Sequence, residues 1–353
     1  MTTSGVRSPR RIERGWSREA SPFHAGEQSV QTRVGVRSQV ERAGRNMIRE
    51  QMPDAHRELF EALPLLVVGS MDAEGRVWAS LLSGAPGFIR SPASDTLRIQ
   101  ARPALGDPLA AQLTPGNPLG LLGIQLETRR RNRANGRIVA RDADSFSVRV
   151  EQSFGNCQQY IQAREPQFDT ALLGTALPPR VEGSQLSNAS RELLERSDTF
   201  FIATASAAAA GGGDAEGVDV SHRGGRPGFV RVETSATATR LTVPDFSGNF
   251  MFNTFGNLEV NPHAGIVCPD FATGDVLTLT GTAHAVWEGP ELEAFEGAER
   301  LLVFDVQSAV FLERSLPVRF EGLGPSPDLL ETGTWAEAEQ HLPLGRATAT
   351  PPQ

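Results

Sequence analysis

The sequence predicts a mainly β protein with peripheral helices, built as two tandem copies of one antiparallel domain that pack as a pseudo-dimer. Three observations carry this. From Leu63 the apolar residues fall in short runs rich in Val, Ile and Leu (LPLLVVGSM, RVWASLLSG, TLRIQA, LGLLGIQLET, SFSVRVEQSF), divided by turn-forming residues. A second set of such runs extends from Phe200 to about Phe320. The two sets also match one another in order. Asp72-Ala73-Glu74-Gly75 recurs as Asp214-Ala215-Glu216-Gly217, and Pro86-Gly87-Phe88-Ile89-Arg90 as Pro227-Gly228-Phe229-Val230-Arg231. Gly106 falls opposite Gly248, Asn117-Pro118 opposite Asn261-Pro262, and Asn135-Gly136-Arg137 opposite Thr280-Gly281-Thr282, all at offsets of 141 to 145. One DAEG turn is commonplace; five matches in register imply a duplication.

Taken in order, residues 1 to about 35 are polar and arginine-rich and read as a mobile arm. Val36, Val40, Ala43, Met47 and Ile48 follow at helical spacings, with a break at Pro53 and a second short helix through Phe60. These make up an N-terminal section, 1–58. The first copy is placed at 59–165, with hairpin-type turns at Asp72 to Gly75 and at Asn135-Gly136. A linker with a double proline spans 166–190. Ser187 or Asn188 can cap a helix containing Leu193 and Leu194 that feeds a buried strand from Phe200 to Ala205. The second copy occupies 191–321. The tail, 322–353, has Trp335 as its one obvious anchor and reads as poorly ordered.

Composition narrows the function. With 353 residues, 39% of them hydrophobic, the chain can bury one large or two medium cores. A net charge of -8 argues against nucleic acid and anionic membranes as partners and in favour of a small molecule. All 34 Lys and Arg residues are arginine. The absence of lysine excludes Schiff-base chemistry, a Walker A phosphate loop and a lysine general base. Any phosphate is then held by Arg, by backbone N–H groups, or by Ser, Thr and Asn side chains. Cys157 and Cys268 lie far apart and outside any CxxC, which speaks against an iron-sulfur or structural zinc site built from this chain alone and leaves a disulfide open. No apolar run reaches the roughly 18 residues of a membrane span, and no apolar segment follows the N-terminal arginines, so a cytoplasmic location is expected.

The stretch from Ser221 to Gly281, containing SHRGGRPGFVRV, LTVPDFSGNFMFNTFGNLEVNPHAGIVCPDF and GDVLTLTG, resembles the flavin-binding core of the pyridoxamine 5'-phosphate oxidase-like split-barrel family. The resemblance implies two tandem split β-barrels. In that family a Ser-Arg-Lys element shortly before an Asn-Pro holds the FMN phosphate; counting back from Asn261-Pro262, the position falls at Asn253-Thr254, where the basic pair is missing. The first copy offers a substitute, because Glu127-Thr128-Arg129-Arg130-Arg131-Asn132-Arg133-Ala134-Asn135-Gly136 resembles a recurrent feature of tandem members. Such proteins bind FMN at a dimer interface, so one copy can supply the platform and the other the charge. On a strand Arg129, Arg131 and Arg133 would line one face and Arg130 the other, ready to converge on a phosphate. The alternative is an arginine-rich exposed edge.

Other candidates follow from the same resemblance. Ser221, His222 and Arg223 precede Gly224-Gly225, where the backbone can approach a ligand, unless the segment is a solvated turn. Asn249, Asn253, Thr254 and Asn257 are threaded among Phe250, Phe252 and Phe255, which suits a helix end holding an anion; capping alone would explain the same residues. Phe154 to Ile161 resembles a family helix start near the flavin, with Gln158-Gln159 in place of Pro-Lys, and its Tyr160 reads equally as a core aromatic. His263 and His284 read as solvated or structural, and Cys268 as an inert core thiol. No catalytic residue stands out, as expected where a cofactor does the redox chemistry. The resemblance implies an FMN-dependent oxidoreductase acting on a small-molecule substrate, with NAD(P)H a candidate reductant and FAD or a deazaflavin as alternatives to FMN. The substrate-phosphate residues of a true pyridoxamine-phosphate oxidase have no match. A non-catalytic flavin or haem binding or redox-partner module, and a degenerate barrel scaffold, remain as rivals. The chain is expected as a monomeric pseudo-dimer or a homodimer.

Overall fold

A computed structural model describes residues 15–342. The first half holds helices α1 (Ala25–Arg33), α2 (Arg37–Met47), α3 (Asp54–Ala62) and α4 (Leu109–Gln112). Its strands are β1 (Leu65–Met71), β2 (Val77–Ser83), β3 (Ile89–Ala93), β4 (Thr96–Ile99), β5 (Pro118–Gln125), β6 (Arg130–Arg141) and β7 (Phe146–Gly155). After β8 (Ala163–Phe168) and β9 (Arg180–Glu182), the second half begins with α5 (Asn188–Arg196), whose N-cap Ser187 accepts from Ser190 N. There follow β10 (Thr199–Ala205), β11 (Val218–Gly224), β12 (Arg231–Thr234), β13 (Thr239–Phe246), α6 (Asn253–Val260), β14 (His263–Pro269), β15 (Val276–Val286), β16 (Ala298–Leu312) and β17 (Val318–Gly324).

The protein is mainly β, and its two large sheets are antiparallel. Their strand orders are β2-β1-β5-β6-β7-β4-β3 and β11-β10-β14-β15-β16-β13-β12, the same order position for position, with β9 added beside β16. Even the irregularities correspond, because the ladder slips between Asn135 and Gly136 in the first sheet and between Thr280 and Gly281 in the second. Neither sheet closes on itself, since no pairing joins β2 to β3 or β11 to β12 among the described residues.

Strands β1 and β10 are buried on both faces, and their alternation divides side chains between two cores. Leu66 and Val68 enter the core of the first sheet, whereas Leu65 and Val67 enter a core shared by both sheets. In β10 Phe200 and Ile202 face the second sheet's own core, and Phe201, Ala203 and Ala205 the shared one. The shared core is reciprocal. A Cβ on Gly120 of β5 would stand 2.5 Å from the Val218 carbonyl oxygen of β11, and one on Gly265 of β14 would stand 2.6 Å from the Val77 carbonyl oxygen of β2. Each glycine admits the opposite backbone, as a two-fold relation between like surfaces requires.

Several expectations are corrected. Asn135-Gly136 makes no turn; it lies inside β6 at the bulge, where a small residue serves an irregular ladder as well as it serves a hairpin. The linker 166–190 is partly ordered as strand, because β8 pairs with β17 and β9 with β16. The tail is ordered as far as residue 342: β17 lies beside β8, and buried Trp335 donates to the carbonyls of Phe229 and Thr242. The N-terminal segment from Gly15 packs closely, with Trp16 and Phe23 buried and α1 laid on α6. The rest of the expected arm, 1–14, and the end of the tail, 343–353, lie outside the described residues. Cys157 and Cys268 are both free thiols. None of the described helices is long and apolar enough to cross a membrane.

Candidate functional site

The cleft of interest, about 120 Å³, opens where β6 and the segment after β7 from the first half meet β11, the end of β13, α6 and β16 from the second. Of the ten residues expected from sequence, eight line it: Arg131, Arg133, Ser221, His222, Arg223, Asn249, Asn253 and Thr254. The other two do not. Arg129 takes a left-handed φ of 57° just before β6, which removes it from the strand's alternation. Its guanidinium is spent on the carbonyls of Ile161 and Pro325. Asn257 is fully buried one turn below the cleft, donating to Thr204 Oγ1 and to Asp219 Oδ2 at 3.0 Å each.

The arginines differ sharply in what they hold. Arg133, 2% exposed, donates to Asp219 Oδ1 at 2.7 Å and to Ser221 Oγ at 2.6 Å. Asp219 also accepts from Asn135 and Asn257, so this ion pair crosses the two halves with its acceptors well supplied. Arg223 and Arg300 share Asp245, and Arg300 also reaches Glu299. Arg300 was not among the expected residues, although it stands directly opposite Asp245 in the β13–β16 ladder. That leaves Arg131, whose Nε meets the Cys157 carbonyl and which has no carboxylate partner among the described residues. Burial first, and then the guanidinium groups of Arg133 and Arg223, lower its pKa to about 10 despite an upward pull from Cys157. At neutral pH it remains a cation, and an anion brought beside it would offset the cost of its burial.

Helix α6 aims its N-terminus into the same space. Its N-cap, Phe252, offers no side-chain acceptor, and its first turn carries no acidic residue. Phe250 and Phe252 hold left-handed φ values of 57° and 60°, conformations costing on the order of 1–3 kcal/mol each in a non-glycine residue. The strained turn presents the free N–H groups of the first helical turn to the cleft, an arrangement suited to anions. Thr254 Oγ1 lies 3.2 Å from Ser221 Oγ, tying that turn to β11.

His222 is 6% exposed, and its Nε2 has no hydrogen-bond partner. Burial, then the charges of Arg131, Arg223 and Arg164, hold its pKa well below the ordinary imidazole value, so the ring is neutral. Asn156 to Gln162 forms no helix, which corrects the expectation for that motif; with the proline absent, the segment runs as an irregular turn with Tyr160 at φ 61°. Tyr160 nonetheless lines the cleft and packs on Phe246 at 5.1 Å between ring centroids. Burial first, then Asp328 and Glu299, push its pKa up to about 12, so it remains a phenol. His284 is exposed on β15, and Cys268 is buried in the second core with its pKa pushed up to about 12 by burial.

No protein-family model matches the chain, and no curated protein does. Among solved structures, the chain is similar to HupZ of Group A Streptococcus, with 13% identity over 40% of this chain and 98% of that one and a TM-score of 0.27. It is similar to a candidate pyridoxamine 5'-phosphate oxidase from Lactobacillus delbrueckii, with 12% identity over 36% and 93% and a TM-score of 0.27. It is also similar to HutZ, a heme storage protein from Vibrio cholerae, with 18% identity over 36% and 95% and a TM-score of 0.23. The functional reading therefore rests on the cleft's own residues.

Proposed function

We propose that the cleft binds FMN through its phosphate and that the protein is an FMN-dependent oxidoreductase acting on a small-molecule substrate. The observation that carries this reading is Arg131, a half-buried cation from one half with no carboxylate partner among the described residues, beside the uncapped N-terminus of α6 from the other. The donor set fits a phosphate dianion: one guanidinium, the first N–H groups of α6, and the one hydroxyl proton that the Ser221–Thr254 pair leaves free. When bound, the flavin supplies two-electron redox chemistry. Arg131 and α6 hold its anionic end, Arg133 and Asp219 fix the wall between the halves, and Phe246 and Tyr160 offer apolar surface for a planar ring.

The test is the absorption spectrum and mass of whatever copurifies, followed by titration of the stripped protein with FMN. Bound FMN, bleached by NAD(P)H or by a substrate, supports the enzyme. Arg131→Gln should weaken FMN binding by about 100-fold, the scale of a lost charge-assisted contact, without lowering thermal stability. Unchanged affinity in that variant contradicts the phosphate assignment. Bound FAD or deazaflavin would correct the cofactor and keep the fold of the site. A second reading, a haem-binding module, is favoured by one feature, the neutral ring of His222 in the cleft lining, whose buried Nε2 has no hydrogen-bond partner. A Soret band that shifts in His222→Ala would establish it in place of the flavin.

A further inference from the structure

Helix α1 lies against α6 with no side chain between their backbones. A Cβ on Gly26 would stand 2.0 Å from the Gly256 carbonyl oxygen, and one on Gly256 would stand 2.5 Å from Cα of Glu27. This crossing drives Glu27 beside the first turn of α6, where it is 3% exposed. One carboxyl oxygen, Oε1, accepts from Asn253 Nδ2; the other, Oε2, accepts from His24 N at 3.0 Å. The only cation candidate within ion-pair distance among the described residues is the His24 ring, at 3.6 Å, and burial holds that ring's pKa down. A buried carboxyl without a guanidinium is costly unless both its oxygens are used, and here both are. Asn253, the first residue of α6, lines the cleft. With one N–H of its NH₂ committed to Glu27, the carboxamide is held with its carbonyl oxygen turned away from Glu27 and free to accept from a ligand.

We infer that Glu27 is a positioning residue: it clamps the Asn253 carboxamide so that the cleft presents a hydrogen-bond acceptor beside its anion site. The chemistry recognised there is a donor, a hydroxyl or N–H, carried next to a phosphate, as in a sugar or polyol phosphate. The inference rests on the phosphate reading of the cleft for its ligand, and on the α1–α6 geometry alone for the clamp.

The clamp is tested in the apo protein by NMR of the Asn253 side-chain amide, assigned by its loss in Asn253→Ala. In the wild type one Nδ2 proton should be shifted downfield and exchange at least tenfold more slowly than in Glu27→Gln, which sets an N–H against one of the two donors that Glu27 satisfies. FMN titration is the second arm: Glu27→Gln should lower affinity about tenfold in the wild-type background and leave it unchanged in Asn253→Ala. A residue that merely braced the helix would reduce affinity equally in both backgrounds. Equal loss in both backgrounds, or an amide signal insensitive to Glu27→Gln, overturns the clamp. Failure of the wild type to bind FMN while the amide signal behaves as expected overturns the cofactor reading and leaves the clamp standing.

Discussion

The cleft on β6 and α6 has a counterpart on β15 and α4, related by the offsets that relate the two halves. At the positions of Arg131 and Arg133 the counterpart carries Val276 and Thr278; Val276 is buried in the shared core with Leu81, and Thr278 Oγ1 donates to the Ala79 carbonyl at 2.7 Å. Asp219 is matched by Trp78, which caps its own turn by donating to Asp72. The helix starts differ as much. Asn249 Oδ1 accepts from Met251 N at 3.1 Å ahead of α6, and Asp107 Oδ1 accepts from Leu109 N at 2.9 Å ahead of α4. The loop geometry is shared, but the counterpart has placed its own carboxylate at the helix start, whereas the cleft has a neutral amide. Duplication thus produced two faces of one shape. One has an open cation and an uncapped helix, and the other has packing contacts at those positions; on the proposed function this asymmetry would give one ligand site per chain.

The sharpest way to break this comparison is to remove the ion pair that only one face has. Asp219→Ala leaves Arg133 buried without a counter-charge and should cost about 3–5 kcal/mol of stability, whereas Thr278→Val on the counterpart should cost about 1 kcal/mol, both read by chemical denaturation. Equal costs would mean that the pair is not a distinguishing feature. A smaller effect is expected at Asp107, whose pKa burial raises from 3.8 to about 6 against the pull of its bonds from Ser80 and Leu109. The folded chain holds this proton more tightly than the unfolded one, so the stability it contributes is full below 3.8 and is lost as pH climbs through about 6. Asp107→Asn removes that loss, and its stability relative to wild type should rise between pH 4 and pH 7 by at most about 3 kcal/mol. A flat difference across that range would contradict the buried-carboxyl account. Smallest is Asn249→Asp, which gives the cleft its counterpart's charge and should reduce FMN affinity about tenfold with little change in melting temperature. Unchanged or tighter FMN binding would show that charge at this turn does not separate the two faces.

Much of this was legible in the sequence, for identifiable reasons. Repeat offsets survive because turns and bulges are fixed by local residues, so DAEG and PGF place β1–β2 and β10–β11 correctly. That β6 would line a space between the halves was legible because four arginines in the five residues 129–133 cannot be core by default. What escaped depended on partners distant in sequence. Arg300 sits in an apolar run and becomes a site residue only through its register with Asp245, which a reader could reach by pairing the buried charges of β13 and β16. Glu27 lies in a segment whose polarity suggests a loose arm, and its role exists only because two glycines let α1 touch α6. Arg129 failed the alternation argument because one left-handed residue redirects a side chain, which spacing alone does not reveal.

The most direct test of one asymmetric cleft is the stoichiometry of FMN bound by the stripped full-length chain, measured by calorimetry in parallel with Arg131→Gln. The account predicts one FMN per chain, lost or weakened about 100-fold in the variant. Two FMN per chain, or one bound as tightly without Arg131, would contradict it.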